Sequence, residues 1–185
     1  MDELGLDFYA DKKNIFGIVL SGFAFSGHPT PTTVGVLSDV HRSLESQLIS
    51  HTDNRIKVKN GSVNLNWKHS FDSTGREITA DADYLVYSNV SNMLLTTDYY
   101  DNLMQHTGQS LLRGHLPSDI DIFTFKTDYV HPFKGGRFEA GFKTSLVKND
   151  NLVNYENWRN GKWETDLIRC NHFIYDANIN AAYIN

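Results

Sequence analysis

The stretch Gly61-Ser-Val-Asn-Leu-Asn-Trp-Lys-His-Ser-Phe71 alternates without a break. Val63, Leu65, Trp67, His69 and Phe71 take one parity; Ser62, Asn64, Asn66, Lys68 and Ser70 take the other. Successive side chains of a strand point to opposite faces, so this spacing predicts a strand with one apolar and one polar face. Asp72-Ser-Thr-Gly75 follows, with the residues a tight turn needs: an Asp to bond its own backbone and a Gly free to take positive φ. Beyond it Ile78, Ala80, Ala82, Tyr84 and Val86 alternate against Thr79, Asp81 and Asp83, completing a hairpin.

Outward from this hairpin the pattern recurs. Turn signals stand at Asp11-Lys12-Lys13-Asn14 and at Pro132-Phe133-Lys134-Gly135-Gly136, about every 60 residues and without a sequence repeat. Phe123, Phe125, Thr127 and Tyr129 alternate against Thr124, Lys126 and Asp128. Phe138, Ala140, Phe142, Thr144 and Leu146 alternate against Arg137, Glu139, Lys143 and Ser145. Phe173, Tyr175, Ala177, Ile179, Ala181 and Tyr183 form a last alternating set. The stretches 26–60, 89–118 and 148–170 are polar and predict long loops at the end away from the turns. Within 34–49, Leu37, Val40, Leu44 and Leu48 approach helical spacing while Val34, Val36, Ser38 and Val40 alternate; strand is favoured because the surroundings are β. The expected fold is all-β, an antiparallel up-and-down meander of about six long strands. Short turns at one end and long loops at the other are what a transmembrane β-barrel shows.

Composition leaves membrane and soluble readings open. Hydrophobic residues at 40%, charged residues at 21% and a mean hydropathy of -0.41 suit a soluble protein, but equally a barrel with polar lumen, turns and loops. No apolar run approaches the ~20 residues of a membrane helix; the best, Ile15 to Phe25, is interrupted by Gly17, Ser21 and Gly22. Phe16, Phe71, Tyr129, Phe133 and Phe138 gather beside the turns, as a girdle at the lipid–water interface would, or as the end of a β-sandwich core. A net charge of -5 with no basic cluster argues against a nucleic-acid partner. Cys170 is the only cysteine and reads as a buried or half-buried thiol. Six long strands in an open sheet would expose edges that natural proteins avoid. The chain begins near the end of one alternating segment, Leu4 to Tyr9, and stops inside another at Tyr183-Ile184-Asn185. The expectation is a partial barrel domain over 1–185, with no plug domain and no signal peptide.

Constellations that could carry chemistry are weak. Asp81 and Asp83 share a strand face, where a wet lumen explains them. The eight His at 28, 41, 51, 69, 106, 115, 131 and 172 form no metal-binding pattern. Ser110, His115 and Asp119 lack a nucleophile-elbow glycine pattern. Gly135-Gly136 reads as a turn, since no helix start follows it. We expect no catalytic, metal or cofactor residues and no enzymatic activity. Trp158 and Trp163, which could stack on a flat ligand or a sugar or simply anchor their loop, are the weak ligand-binding candidates.

Several stretches together carry a resemblance. They are Leu4-Gly-Leu-Asp-Phe-Tyr-Ala-Asp-Lys-Lys-Asn14, Asn66-Trp-Lys-His-Ser-Phe-Asp-Ser-Thr-Gly-Arg-Glu77, Asp81-Ala-Asp-Tyr84, Ser118-Asp-Ile-Asp-Ile122, Asp128-Tyr-Val-His-Pro-Phe133, Phe138-Glu-Ala-Gly141, Asn171-His-Phe-Ile-Tyr175 and Asn178-Ile-Asn-Ala-Ala-Tyr183. In order and spacing they resemble the barrel of TonB-dependent outer-membrane receptors of the Bacteroidota type, in the outer membrane protein β-barrel family. The resemblance implies a large barrel around an N-terminal plug, importing a small-molecule or glycan ligand. Its implied partners are outer-membrane lipid, the rest of the barrel and plug, and the TonB complex. No binding residues carry over. The competing reading from the pattern is a soluble all-β ligand- or carbohydrate-binding module.

Overall fold

The computed structural model describes residues 2–185, and all their regular structure is strand. The strands are β1 (Asp2–Tyr9), β2 (Asn14–Gly27), β3 (Thr32–Ser38), β4 (Leu44–Ser70), β5 (Glu77–Asp101), β6 (His106–Phe133), β7 (Gly136–Arg159), β8 (Lys162–Thr165) and β9 (Asn171–Ile184). They form one antiparallel sheet in the order β1-β2-β4-β5-β6-β7-β8, with β3 on β4 and β9 on β7. β2 and β3 lie end to end along β4, and β8 and β9 lie end to end along β7, so the path is a meander.

The decisive stretch sits inside β4, and its register continues both ways. Leu65 pairs with Ile18 on β2 and Ala82 on β5, which pairs with Phe125 on β6; Asn66 pairs with Gly17 and Asp81, which pairs with Lys126. Apolar parities therefore join into one band, and polar parities into another on the opposite face. The near turns are tight, with φ of 89° at Gly75 and 99° at Gly135.

The predicted long loops are corrected. β4, β5, β6 and β7 run 27, 25, 28 and 24 residues, well beyond the ~9–11 that a tilted strand needs to cross a membrane. Most of 26–60, 89–118 and 148–170 is thus strand, closed by turns as short as those at the other end. The physical reason is that polar residues on both faces do not end a strand when its ladder hydrogen bonds continue in water. The 34–49 stretch is β3, a turn and the start of β4. In that turn Asp39 Oδ1 accepts from the amides of His41 and Ser43, each at 2.8 Å, and Arg42 takes a φ of 64°. Asp101 repeats this with Leu103, Gln105 and Met104. Asn160 and Gly161, both at positive φ, make the two-residue turn into β8.

The two interruptions have visible causes. Pro29 and Pro31 cannot donate, yet their carbonyls still accept from Asn54 and Thr52 at 3.1 and 3.0 Å. Opposite Asn154 and Tyr155, residues 166–170 bulge, and half-buried Cys170 fills the gap, its Sγ 3.2 Å from the Tyr155 amide.

β9 also brings a correction. Its alternating set joins the polar face: Ile179 pairs with Ser145, Ala181 with Lys143 and Tyr183 with Gly141. Asn178 and Asn180 instead lie on the banded face. Alternation within one strand separates two faces but does not say which is which; the partner's register decides.

Among the described residues no hydrophobic side chain is buried. A sandwich would bury such residues against a second sheet about 10 Å away; here a single sheet leaves its apolar band bare.

Candidate functional site

A wall of this kind works through its faces. On the banded face the apolar rows run from the near turns to Val63, Tyr84, Phe123 and Leu146. An aromatic chain follows the turns across the sheet. Phe16 stacks near Trp67 (6.4 Å between centroids), His69 meets Phe71 edge-on (4.7 Å), and Phe71, Tyr129 and Phe138 continue it at 6.1 and 6.5 Å. Trp67 Nε1 donates to Asn14 Oδ1 at 3.2 Å, so the ring is apolar in body and bonded at its tip. Of the predicted girdle residues, Phe16, Phe71, Tyr129 and Phe138 are joined in this chain, while Phe133 lies exposed beside the turn.

The opposite face is polar at the same height. Asn64 donates to Asp83 Oδ1 at 2.7 Å, Ser21 and Ser62 hydroxyls lie 2.7 Å apart, and Thr124 bonds Ser145 at 3.0 Å. Lys126 pairs with Asp128 at 2.6 Å. Asp81 and Asp83 both lie on this face, Asp83 bonded to Asn64 and Asp81 opposite Asn66 and Lys126 in the register.

Farther from the near turns, the two faces exchange character. The polar-face parity becomes apolar, with Leu48, Met93, Leu95, Leu112 and Tyr155 lining a depression of about 510 Å³. Gly114 makes room for it, since a Cβ there would strike the Tyr155 ring and Met93. Thr97, one of the most buried residues, bonds Ser50 at 2.9 Å in its floor. Arg169 borders it and is tied to Asp166 at 3.4 Å. The Asn157 amide, helped by the Arg169 and Ile168 backbone N–H groups, holds the Asp166 carboxyl below the usual aspartate range. Sequence reasoning missed this depression. The available signal was a switch of apolar parity along single strands, from Ala80 and Ala82 to Met93 and Leu95 on β5, and from Phe123 and Phe125 to Leu112 and Leu116 on β6.

Trp158 and Trp163 meet directly across β7 and β8, centroids 5.2 Å apart and rings at 66°. The Arg113 guanidinium lies 4.6 Å from the Trp163 ring centroid and Arg113 Nε donates to Glu156 at 2.5 Å. By register this pair lies on the banded face, away from the depression. Ser110 and His115 fall on opposite faces, Ser110 by Tyr99 and His115 by Asn92. His28, His106 and His172 each contact one aspartate, Asp53, Asp98 and Asp150 respectively; no group of three metal-ligating side chains occurs among the described residues.

The model for the outer membrane protein beta-barrel family matches residues 69–185, more than half of the chain. No curated protein matches it.

Proposed function

The chain belongs to the outer membrane protein beta-barrel family of the bacterial outer membrane, and from that premise we propose that it is wall of a TonB-dependent receptor that imports a ligand. The outer-membrane placement sets aside the soluble binding module. In this reading the apolar band meets lipid and the network of Asn64, Asp83, Lys126 and Asp128 lines the lumen. The near turns lie in the periplasm and the long hairpins stand outside the cell. The open edges of β1 and β9 pair with further strands of the same barrel, since unpaired backbone groups are costly in hydrocarbon.

The depression carries the reading. It sits on the lumen face at the outer mouth and is lined by apolar and aromatic side chains, with Arg169 at its border. A small molecule or glycan with an apolar face would rest there before passing a plug driven by the TonB complex. The wall takes no part in bond-making: it has no enzymatic role and no cofactor of its own.

Uptake measurements test this. Cells carrying the intact protein should accumulate its ligand only when TonB is present, and Leu95→Arg should lower uptake at least tenfold while leaving assembly intact. Accumulation that persists in a strain lacking TonB would show a passive channel instead.

A further inference from the structure

Just beyond the apolar band, the banded face of β4 carries Lys59, Lys57 and Arg55 at every second residue, all exposed. None of the three ion-pairs with a carboxylate among the described residues, whereas Lys68, Arg76, Lys126 and Arg137 all do. The strand neighbours on this face are neutral: Ala24 and Ser26 on β2, Ser88, Val90 and Asn92 on β5. Asp53, the next residue on this face, is bonded by His28 at 2.8 Å and interacts electrostatically with Arg55, which leaves Lys57 and Lys59 as the cations with no carboxylate beside them. The acids at similar height, Asp119, Asp121, Asp150 and Asp176, stand on β6, β7 and β9, with Lys148 among them. Two strand spacings, about 10 Å, separate the column from the nearest of them. Charge on this strip is therefore segregated, unlike a solvated face with mixed signs.

The height of the column identifies its neighbour. Lys59 lies twelve residues above Phe71, which belongs to the aromatic chain at the near turns. At about 3.4 Å per residue and a tilt near 40°, that is about 31 Å along the membrane normal, with Lys57 about 5 Å higher. With the aromatic chain at the near interface, a hydrocarbon core of about 30 Å inside a bilayer of about 40–45 Å puts both lysines at the level of the far headgroups, and the long side chain of Arg55 reaches back toward them.

We propose that Lys59 and Lys57, extended by Arg55, form a docking strip for phosphate-bearing headgroups of lipids in the outer leaflet. The strip is continuous with the face that meets acyl chains, so one lipid places its tail on Val63 and Leu65 and its phosphate on the lysines. This rests on the banded face meeting lipid, which assembly of Leu65→Arg and Asn66→Arg variants tests by itself.

The intact protein in dodecyl maltoside, offered equal amounts of phosphatidylglycerol and phosphatidylcholine, provides the test, with retained lipids counted by native mass spectrometry on assembled protein. Wild type should prefer phosphatidylglycerol, and the preference should fall as salt rises above about 0.15 M, where the screening length is about 8 Å. Lys57→Gln and Lys59→Gln should each reduce it about fivefold, and the double Lys→Arg variant should retain it. The proposal is overturned if the Lys57→Gln/Lys59→Gln protein keeps the wild-type preference, if Lys143→Gln on the opposite face has the same effect, or if retention is indifferent to salt. Dimers forming without phosphatidylglycerol, and abolished by the same two substitutions, would assign the strip to a second copy and overturn it too.

Discussion

Tyr183 on β9 donates its hydroxyl hydrogen to Asp128 Oδ1 on β6 at 2.7 Å, passing over the strand between them. Gly141 on β7 is the register partner of both residues. A Cβ at Gly141 would run into the Tyr183 ring and the Asp128 carboxylate. A bare backbone position thus lets an aromatic ring bridge three strands on the polar face, and Gly114 does the same under Tyr155. Gly141→Val should destabilise the assembled barrel by about 1–3 kcal/mol, through overpacking. Tyr183→Phe should cost only about 0.5–1.5 kcal/mol, the net value of one hydrogen bond. Urea midpoints of the reconstituted intact protein separate the two; a Gly141→Val midpoint equal to the parent's would contradict the close approach.

The register also predicts a sharp asymmetry between adjacent residues. Leu65 and Phe142 lie on the banded face; Asn66 and Lys143 are their neighbours on the polar one. Arginine at Leu65 or Phe142 should cost about 2–4 kcal/mol in membrane assembly, the depth-dependent cost of a charge facing lipid. Arginine at Asn66 or Lys143 should cost far less, because water reaches that face. Comparable losses at both parities in a vesicle-folding titration would rule out the two-face assignment.

The strands of the band are legible because alternation is local: Val63 to Phe71 and Ile78 to Val86 declare their faces without knowledge of partners. Strand length is not legible in the same way. Lys57–Lys59, Asn89–Ser91 and Asn149–Asn151 are polar enough to read as loops, yet all lie in register within the sheet. Outside a bilayer neither face must be apolar, so hydropathy stops reporting on the ladder. The face of β9 was hidden for a different reason, since only pairing of Ile179 with Ser145 turns its apolar set to the polar side. The depression combines both problems: Leu48, Met93, Leu112 and Tyr155 are far apart in sequence and apolar on the parity opposite to the band.

Acid should loosen the near turns before it affects the band. The Thr74 hydroxyl and amide bond Asp72, and the Asn14 side chain with the Lys13 and Asn14 amides bonds Asp11, holding both carboxyls below the ordinary aspartate range. A folded-state pKa below the unfolded one adds stability that is complete above the unfolded value and lost as pH falls through the folded value. The loss should therefore begin below about pH 4. Amide exchange at Thr74 and Lys13, corrected for intrinsic rates, should become less protected below that pH in the parent. Asp72→Asn should flatten the pH response at Thr74 alone. Unchanged protection down to pH 2 would show that the carboxylates do not hold these turns.

The outer hairpin separates anchoring from ligand contact. Trp158 and Trp163 hold each other across the β7–β8 ladder and Arg113 covers Trp163, all by register on the face away from the depression. Trp158→Ala should loosen this hairpin, removing an aromatic pair worth about 0.5–1.5 kcal/mol beyond its buried area, and should speed amide exchange at Lys162 and Glu164. It should leave ligand affinity within about twofold, because the ring does not border the depression. Tyr155, half-buried on the other face over Gly114, should behave in the opposite way. Tyr155→Ala should weaken ligand binding by about tenfold or more, since stacking and apolar contact of one aromatic ring are worth about 1–3 kcal/mol, with little change in hairpin exchange. If Trp158→Ala abolishes binding while Tyr155→Ala is neutral, the ligand rests on the outer hairpin surface and the lumen-face assignment of the depression is wrong.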